Sequence, residues 1–205
     1  MTKLKLCGIR TITDLEVCRK ADYLGFMVLS DSPRNLEVQR AKDLMSVCEG
    51  RRVAVTTERR PDALADLVRA LDPDVLQLHS PLDRGLLPRV ADLGVPIWGM
   101  LPISPDVDVD LSTLPFLQAL VLDSPGPRAG GSGRTHDWTL SRFVRDRTEG
   151  VPVVLAGGLN AENVQEAIRA VRPYAVDISS GAEGSGGKDP LKVTMIIKAM
   201  RGADT

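Results

Sequence analysis

The chain has 205 residues, 43% of them hydrophobic and 26% charged, with a formal net charge of −1. That length supports one domain, 1–205, with a substantial core, and the near-neutral balance leaves no basic footprint for nucleic acid and no pull toward an anionic membrane. No apolar run reaches the roughly 18 residues that span a bilayer, and the start Met1-Thr2-Lys3-Leu4-Lys5 turns polar too early for a signal peptide, so a cytoplasmic protein is expected.

A short apolar run predicts the first strand over 4–7, and an amphipathic segment predicts a helix over 12–20. A strand over 23–29 and a helix over 36–47 follow, then a strand over 53–56 and a helix over 61–71. Pro61 suits a first helical turn, where the missing N–H costs nothing. The next pair is a strand over 75–78 and a helix over 84–93. A strand over 97–100 leads into residues 101–114, whose two prolines, with Pro115 directly after them, and weak periodicity predict a loop or one short helix. Strands over 119–122, 151–155 and 175–178 complete the set, with helices over 136–147, 161–171 and 191–200. Asp14, Asn160 and Asp189 are candidate caps or first-turn acids, and Pro190 repeats the first-turn signal.

Most of these strands are continuous apolar runs, the pattern of strands covered on both faces in a parallel sheet. Eight β/α units with no break in composition predict one small (β/α)8 TIM barrel with an irregular fifth helix region. A doubly wound open sheet is the alternative and needs fewer strands.

Chemistry in such barrels gathers at the C-terminal ends of the strands. Those positions are Cys7-Gly8, Ser32-Pro33-Arg34, Gln77-Leu78-His79, Asp123, Ala156-Gly157-Gly158 and Asp177-Ile178-Ser179-Ser180-Gly181. Glycine-rich loops after strands six, seven and eight allow backbone N–H groups to approach an anion, so a phosphorylated small-molecule substrate is expected. Turn formation alone is the competing reading for each loop. Asp123 closes an apolar strand and is followed by Ser124-Pro125, which argues against a cap. It is then either a structural ion-pair partner or a catalytic acid, whose carboxyl, partly desolvated, would have a raised pKa and could donate a proton near neutrality. Cys7 is either a small buried hydrophobe or, beside positive charge, a thiolate base. Cys18 and Cys48 sit at helical spacing among apolar residues and read as core. Three cysteines make no disulfide framework, and two histidines without a CxxC or HxxxH pattern make a zinc site unexpected. Arg34 is either solvated or turned inward toward a carboxylate. His79 reads as a structural rim residue, and Glu183 and Lys188 as peripheral. Asp177 orients substrate or pairs with an internal cation.

The stretches Lys5-Leu6-Cys7-Gly8-Ile9, Ser32-Pro33-Arg34, Leu76-Gln77-Leu78-His79, Leu122-Asp123, Gly130-Gly131-Ser132-Gly133 with Asp137-Trp138, Leu155-Ala156-Gly157-Gly158-Leu159 and Asp177-Ile178-Ser179-Ser180-Gly181 through Gly187-Lys188-Asp189 occur in this order along nearly the whole chain. Together they resemble the phosphoribosylanthranilate isomerases of tryptophan biosynthesis. The resemblance implies an Amadori rearrangement without metal or organic cofactor, in a monomer or homodimer. It implies Asp123 as general acid, Cys7 as general base and Arg34 on the anthranilate carboxylate. Asp177 would contact substrate near the reacting centre, and backbone around Gly131, Ser132, Gly157, Gly158, Ser180 and Gly181 would hold phosphate. Departures from the pattern are Ser80 after Leu-His, Val55-Thr56-Thr57 at the third strand end, Asn35 after the arginine and His136 before Asp137-Trp138. Competing readings are another phosphosugar isomerase or epimerase, which would want metal-binding histidines or an aspartate at position 7, and a non-catalytic phosphosugar-binding barrel.

Overall fold

A computed structural model describes residues 1–124, 135–148 and 150–203. Among them, eight parallel strands close into a barrel: β1 (Lys3–Cys7), β2 (Tyr23–Val28), β3 (Arg51–Thr56), β4 (Val75–Pro81), β5 (Ile97–Pro102), β6 (Ala119–Asp123), β7 (Val153–Leu155) and β8 (Ala175–Ile178). β1 pairs on both sides, Lys5 lying opposite Tyr23 of β2 and opposite Asp177 of β8. That double pairing removes the sheet edges and rules out the open doubly wound sheet. A two-residue strand, Asn35–Leu36, is appended to β2, and Glu183–Gly184 pairs antiparallel with Gly187–Lys188 beyond β8.

Helices α1 (Ile12–Cys18), α2 (Val38–Ser46), α3 (Pro61–Leu71), α4 (Leu87–Ala91), α5 (Trp138–Arg147), α6 (Val164–Val171) and α7 (Pro190–Arg201) surround the barrel. After β5 stands a 3₁₀ turn, Leu111–Phe116, containing Pro115; the irregular region is where the prolines placed it. The predicted boundaries fail where local side-chain bonds take over. α4 is shorter than 84–93, because the Asp83 carboxylate binds the N–H groups of Gly85 and Leu86. Asn160 likewise takes the N–H groups of Glu162 and Asn163, so α6 begins at Val164 rather than 161. β7 begins at Val153, after Pro152, which has no N–H for a ladder. α5 starts at Trp138 because Asp137 caps it through Thr139 N.

Two apolar clusters explain the continuous runs. Alternate strand residues Val53, Val55, Val75, Val121, Val154 and Ala175 fill the barrel interior. Their neighbours Leu6, Phe26, Ala54, Leu76, Leu120 and Val176 pack under the helices. Each strand is therefore apolar on both faces, and an interior polar residue stands out against a background that supplies none.

Candidate active site

Period-two alternation decides which side chains meet inside the barrel. On β1 the inward column is Lys5 then Cys7; on β4, Val75, Gln77, His79; on β6, Ala119, Val121, Asp123; on β8, Ala175, Asp177. The polar members all lie toward the C-terminal ends, where a narrow pocket opens. Cys7, Gln77, His79, Asp123 and Asp177 line it, with Gly157, Gly158, Ser179 and Ser180 at its mouth.

Lys5 is fully buried, and its ammonium donates to Asp177 Oδ2 at 2.6 Å. Burial opposes the charged form of Lys5, but the Asp177 carboxylate and Cys7 outweigh it, and its pKa stands above the ordinary value. Asp177 is thus paired with an internal cation, one of the two roles foreseen for it; its Oδ1 is buried without a partner among the described residues and belongs to the pocket lining. The Cys7 thiol is pushed up by burial, while Lys5 and Lys188 draw it down. Gly25 of β2 makes room for this group: a methyl there would lie 2.7 Å from Cys7 Sγ and 3.1 Å from Lys5 Nζ.

Asp123 is nearly buried, and desolvation together with the Asp177 charge raises its pKa to about 6. The Ser124 N–H donates to its Oδ1 at 2.7 Å and restrains the rise. His79 Nε2 lies 3.5 Å from Asp123 Oδ2. Burial lowers the His79 pKa to about 4, so at neutral pH the imidazole is uncharged and the contact is not an ion pair. His79 therefore stands inside the pocket against the acid, deeper than the rim position expected. Gln77 sits beside it, its amide nitrogen 3.4 Å from His79 Nδ1 and its Oε1 buried without a partner among the described residues.

Arg34 turns inward, and its partner corrects an expectation. Its Nε and Nη2 donate to the two oxygens of Glu183, both at 2.7 Å. The buried Lys188 ammonium donates to Glu183 Oε1 and to Ser179 O. Glu183 and Lys188 are thus not peripheral: they form the support of Arg34. Burial works against the Glu183 carboxylate, but Arg34 and Lys188 overcome it and hold its pKa below the ordinary value. The hairpin carrying them is tied to the first loop by Asp14, which accepts from Arg10 N, Thr11 N and Lys188 N. Gly8 has φ +86°, and a methyl there would come within 2.6 Å of Arg34 Cδ; glycine after Cys7 lets the arginine cross the strand end.

Gly157 and Gly158 both have positive φ, a conformation that favours glycine. A methyl on Gly157 would strike Ser124 and crowd Asp123 Oδ1, and one on Gly181 would come within 2.0 Å of Leu159 O. The loops after β7 and β8 therefore touch through Gly181, with Ser180 opening the short 3₁₀ turn Ser180–Ala182. Gly131 and Ser132 lie outside the described residues. No group of three or more His, Cys, Asp or Glu side chains among the described residues is placed to hold a metal ion, and no helix among them is long and apolar enough to cross a membrane.

Lys5, Gln77, Glu183 and Lys188 were not singled out by sequence as parts of the site. Strand parity marks the first two, since Lys5 precedes Cys7 by two residues and Gln77 precedes His79 by two. Nothing local marks Glu183, whose partner Arg34 is 149 positions away.

Comparison with known proteins agrees with this geometry. Residues 4–199 match the family model described as N-(5'-phosphoribosyl)anthranilate isomerase. A protein of that name from Haloferax volcanii is 38% identical, across 99% of this chain and 95% of its own. The crystal structure of phosphoribosyl anthranilate isomerase from Thermotoga maritima superposes with a TM-score of 0.87 at 33% identity, covering 98% of this chain and 100% of that one. A further phosphoribosyl anthranilate isomerase, solved in complex with reduced 1-(o-carboxyphenylamino)-1-deoxyribulose 5-phosphate, superposes at 0.83 with 31% identity over 98% of this chain and 100% of that one. With the match running through every strand of the barrel, the chain belongs to the N-(5'-phosphoribosyl)anthranilate isomerase family.

Proposed function

We propose that the chain, as a single catalytic domain spanning 1–205, converts N-(5'-phosphoribosyl)anthranilate to 1-(2-carboxyphenylamino)-1-deoxyribulose 5-phosphate in the tryptophan pathway of the cytoplasm. The observation that carries this reading is that one pocket is lined by both a carboxyl group tuned near neutrality, Asp123, and a thiol beside a buried ammonium, Cys7. Asp123 protonates the furanose ring oxygen, and the ring C–O bond breaks to give a Schiff base between C1 and the anthranilate nitrogen. Cys7, as thiolate, takes the C2 proton, giving the enolamine. Loss of the C2 hydroxyl proton and protonation at C1 then yield the ketone.

Arg34, gripped by Glu183 along its Nε–Nη2 edge, presents its remaining N–H groups to the anthranilate carboxylate. Asp177 Oδ1 faces the reacting centre, and backbone around Gly131, Ser132, Gly157, Gly158, Ser180 and Gly181 holds the phosphate. Binding at both ends fixes the sugar between acid and base. Every group comes from one chain, so a monomer suffices and a homodimer would carry two independent sites.

With Asp123 titrating near 6 and Cys7 above its ordinary range, the reactive combination of protonated acid and thiolate is a minor proton tautomer of the pair. Its share is constant between the two pKa values, so kcat/KM rises through pH 6, runs flat and falls where the thiol ionises. The test is loss of substrate fluorescence with native protein, Asp123→Asn and Cys7→Ala. Each variant should lose roughly 10²- to 10⁴-fold in turnover and still bind a product analogue. Near-normal turnover by Cys7→Ala overturns the base assignment. Analogue binding without turnover by the native chain favours a non-catalytic phosphosugar-binding barrel instead.

A further inference from the structure

We infer that Lys5 is the positioning residue that makes Cys7 a base, its buried ammonium serving as counter-ion to the Cys7 thiolate while Asp177 holds that ammonium in place. The inference rests on the reading of Cys7 as the base and extends it to a residue that does not touch substrate.

The geometry begins with strand register. Lys5 and Cys7 are successive inward residues of β1, and Asp177 of β8 stands directly opposite Lys5. Lys5 Nζ is fixed at 2.6 Å from Asp177 Oδ2, with no exposed side-chain surface. On the other side of β1, Gly25 is the register partner of Cys7. Its bare Cα leaves one space that both Cys7 Sγ and Lys5 Nζ border, since a methyl there would meet the two of them at once. A buried thiol with no cation beside it stays a thiol. The ammonium of a lysine has three donors; Lys5 directs one to Asp177, and the others, with no hydrogen-bond partner among the described residues, can serve the sulfur.

The other charged groups facing Cys7 are less able to fill this role. Arg34, reaching over from the loop after β2, is bound bidentately to Glu183. Lys188, on the hairpin after β8, donates to Glu183 Oε1 and Ser179 O. Across the pocket stand Asp123 of β6, which disfavours a thiolate when ionised, and His79 of β4, which is neutral. Asp177 itself opposes the thiolate. Lys5 is the cation whose removal the thiol should feel most.

The test reads the Cys7 thiolate directly, by its ultraviolet absorbance against pH, in full-length protein carrying Cys18→Ala and Cys48→Ala so that one thiol remains. Two variants should move it in opposite directions. Lys5→Met with Asp177→Asn removes the pair together, leaving no unpaired buried charge, and should raise the thiol titration by more than one pH unit. Asp177→Asn alone leaves Lys5 uncompensated and should lower it by a similar amount. Iodoacetamide should follow, alkylating Cys7 at least tenfold more slowly in the first variant at fixed pH and faster in the second. A purely structural role would change melting temperature without moving the titration; an unmoved titration in both variants overturns the inference. If the double variant fails to fold, the direction of the Asp177→Asn change decides: a titration that is unchanged or raised overturns it. These outcomes are separate from the base assignment, which falls only if Cys7→Ala retains turnover.

Discussion

The two ends of this barrel are built from the same strands and are chemically opposite. At the N-terminal end Tyr23 packs against Trp98 in a tilted arrangement, ring centroids 4.9 Å apart and planes at 59°. The polar atoms there are matched: Tyr23 OH meets Tyr174 OH at 2.7 Å and accepts from Arg51, and Trp98 Nε1 donates to Gln118. At the C-terminal end Gln77 Oε1 and Asp177 Oδ1 are buried without partners among the described residues, and Asp123 is held where its charge is disfavoured. A buried polar atom without a partner costs roughly 1–3 kcal/mol. One end stabilises the fold; the other tolerates unfavourable burial that a substrate can relieve.

That contrast fixes the order of predictions. Tyr23→Ala should have the largest effect on stability, roughly 3–5 kcal/mol, the range for emptying a buried aromatic site. At low temperature its kcat/KM should stay within about twofold of native, since the chemistry is at the other end. Paired calorimetry and kinetics check this, and a large loss of kcat/KM in folded variant would erase the distinction between the two ends.

Asp123→Asn should do the reverse, cutting turnover roughly 10²- to 10⁴-fold and stabilising the protein. The sign follows from proton linkage. The folded-state pKa of about 6 lies above the ordinary value of 3.8, so the unfolded chain releases this proton first as pH rises. Stability contributed by the protonated form is complete below pH 4, declines between pH 4 and 6, and is gone above it. The variant escapes that decline. Its advantage should be absent at pH 4 and reach on the order of 3 kcal/mol above pH 6, accumulating at about 1.4 kcal/mol for each pH step between the two pKa values. His79 and His136, both lowered to about 4 by burial, have the opposite pH dependence, but they are common to both proteins and drop out of the difference. Equal melting temperatures at pH 7.5 would mean that Asp123 is not held in an unfavourable state.

The same contrast shows why the sequence was readable where it was. Strand positions followed from apolar runs, and the buried carboxyl of Asp123 was visible because it closes one. That Cys7, Asp123, Asp177, Gly157 and Gly158 would border one pocket needed only the rule that barrel sites sit at strand ends. Lys5 and Gln77 were within reach of strand parity. The Arg34 support was not, because it depends on a hairpin of two-residue strands, Glu183–Gly184 and Gly187–Lys188, too short to leave a periodic signal and set by the remote carboxylate of Asp14.

That support yields the smallest prediction and the finest test of the comparison. If Glu183 is a clamp, it orders the guanidinium before substrate arrives, and Glu183→Gln leaves Arg34 free to wander. KM should then rise about tenfold, equivalent to about 1.4 kcal/mol, with kcat within twofold, as the proposed role of Arg34 on a carboxylate bound equally in ground state and transition state requires. If Glu183 instead occupies the place of the substrate carboxylate, the same substitution removes a competitor and KM falls. The direction of the change in KM, confirmed by the Kd of a product analogue, separates the two. The geometry favours the clamp: Glu183 is itself held by the buried Lys188, whose backbone N–H is fixed by Asp14, so the carboxylate is anchored to the scaffold and cannot readily yield to an incoming ligand.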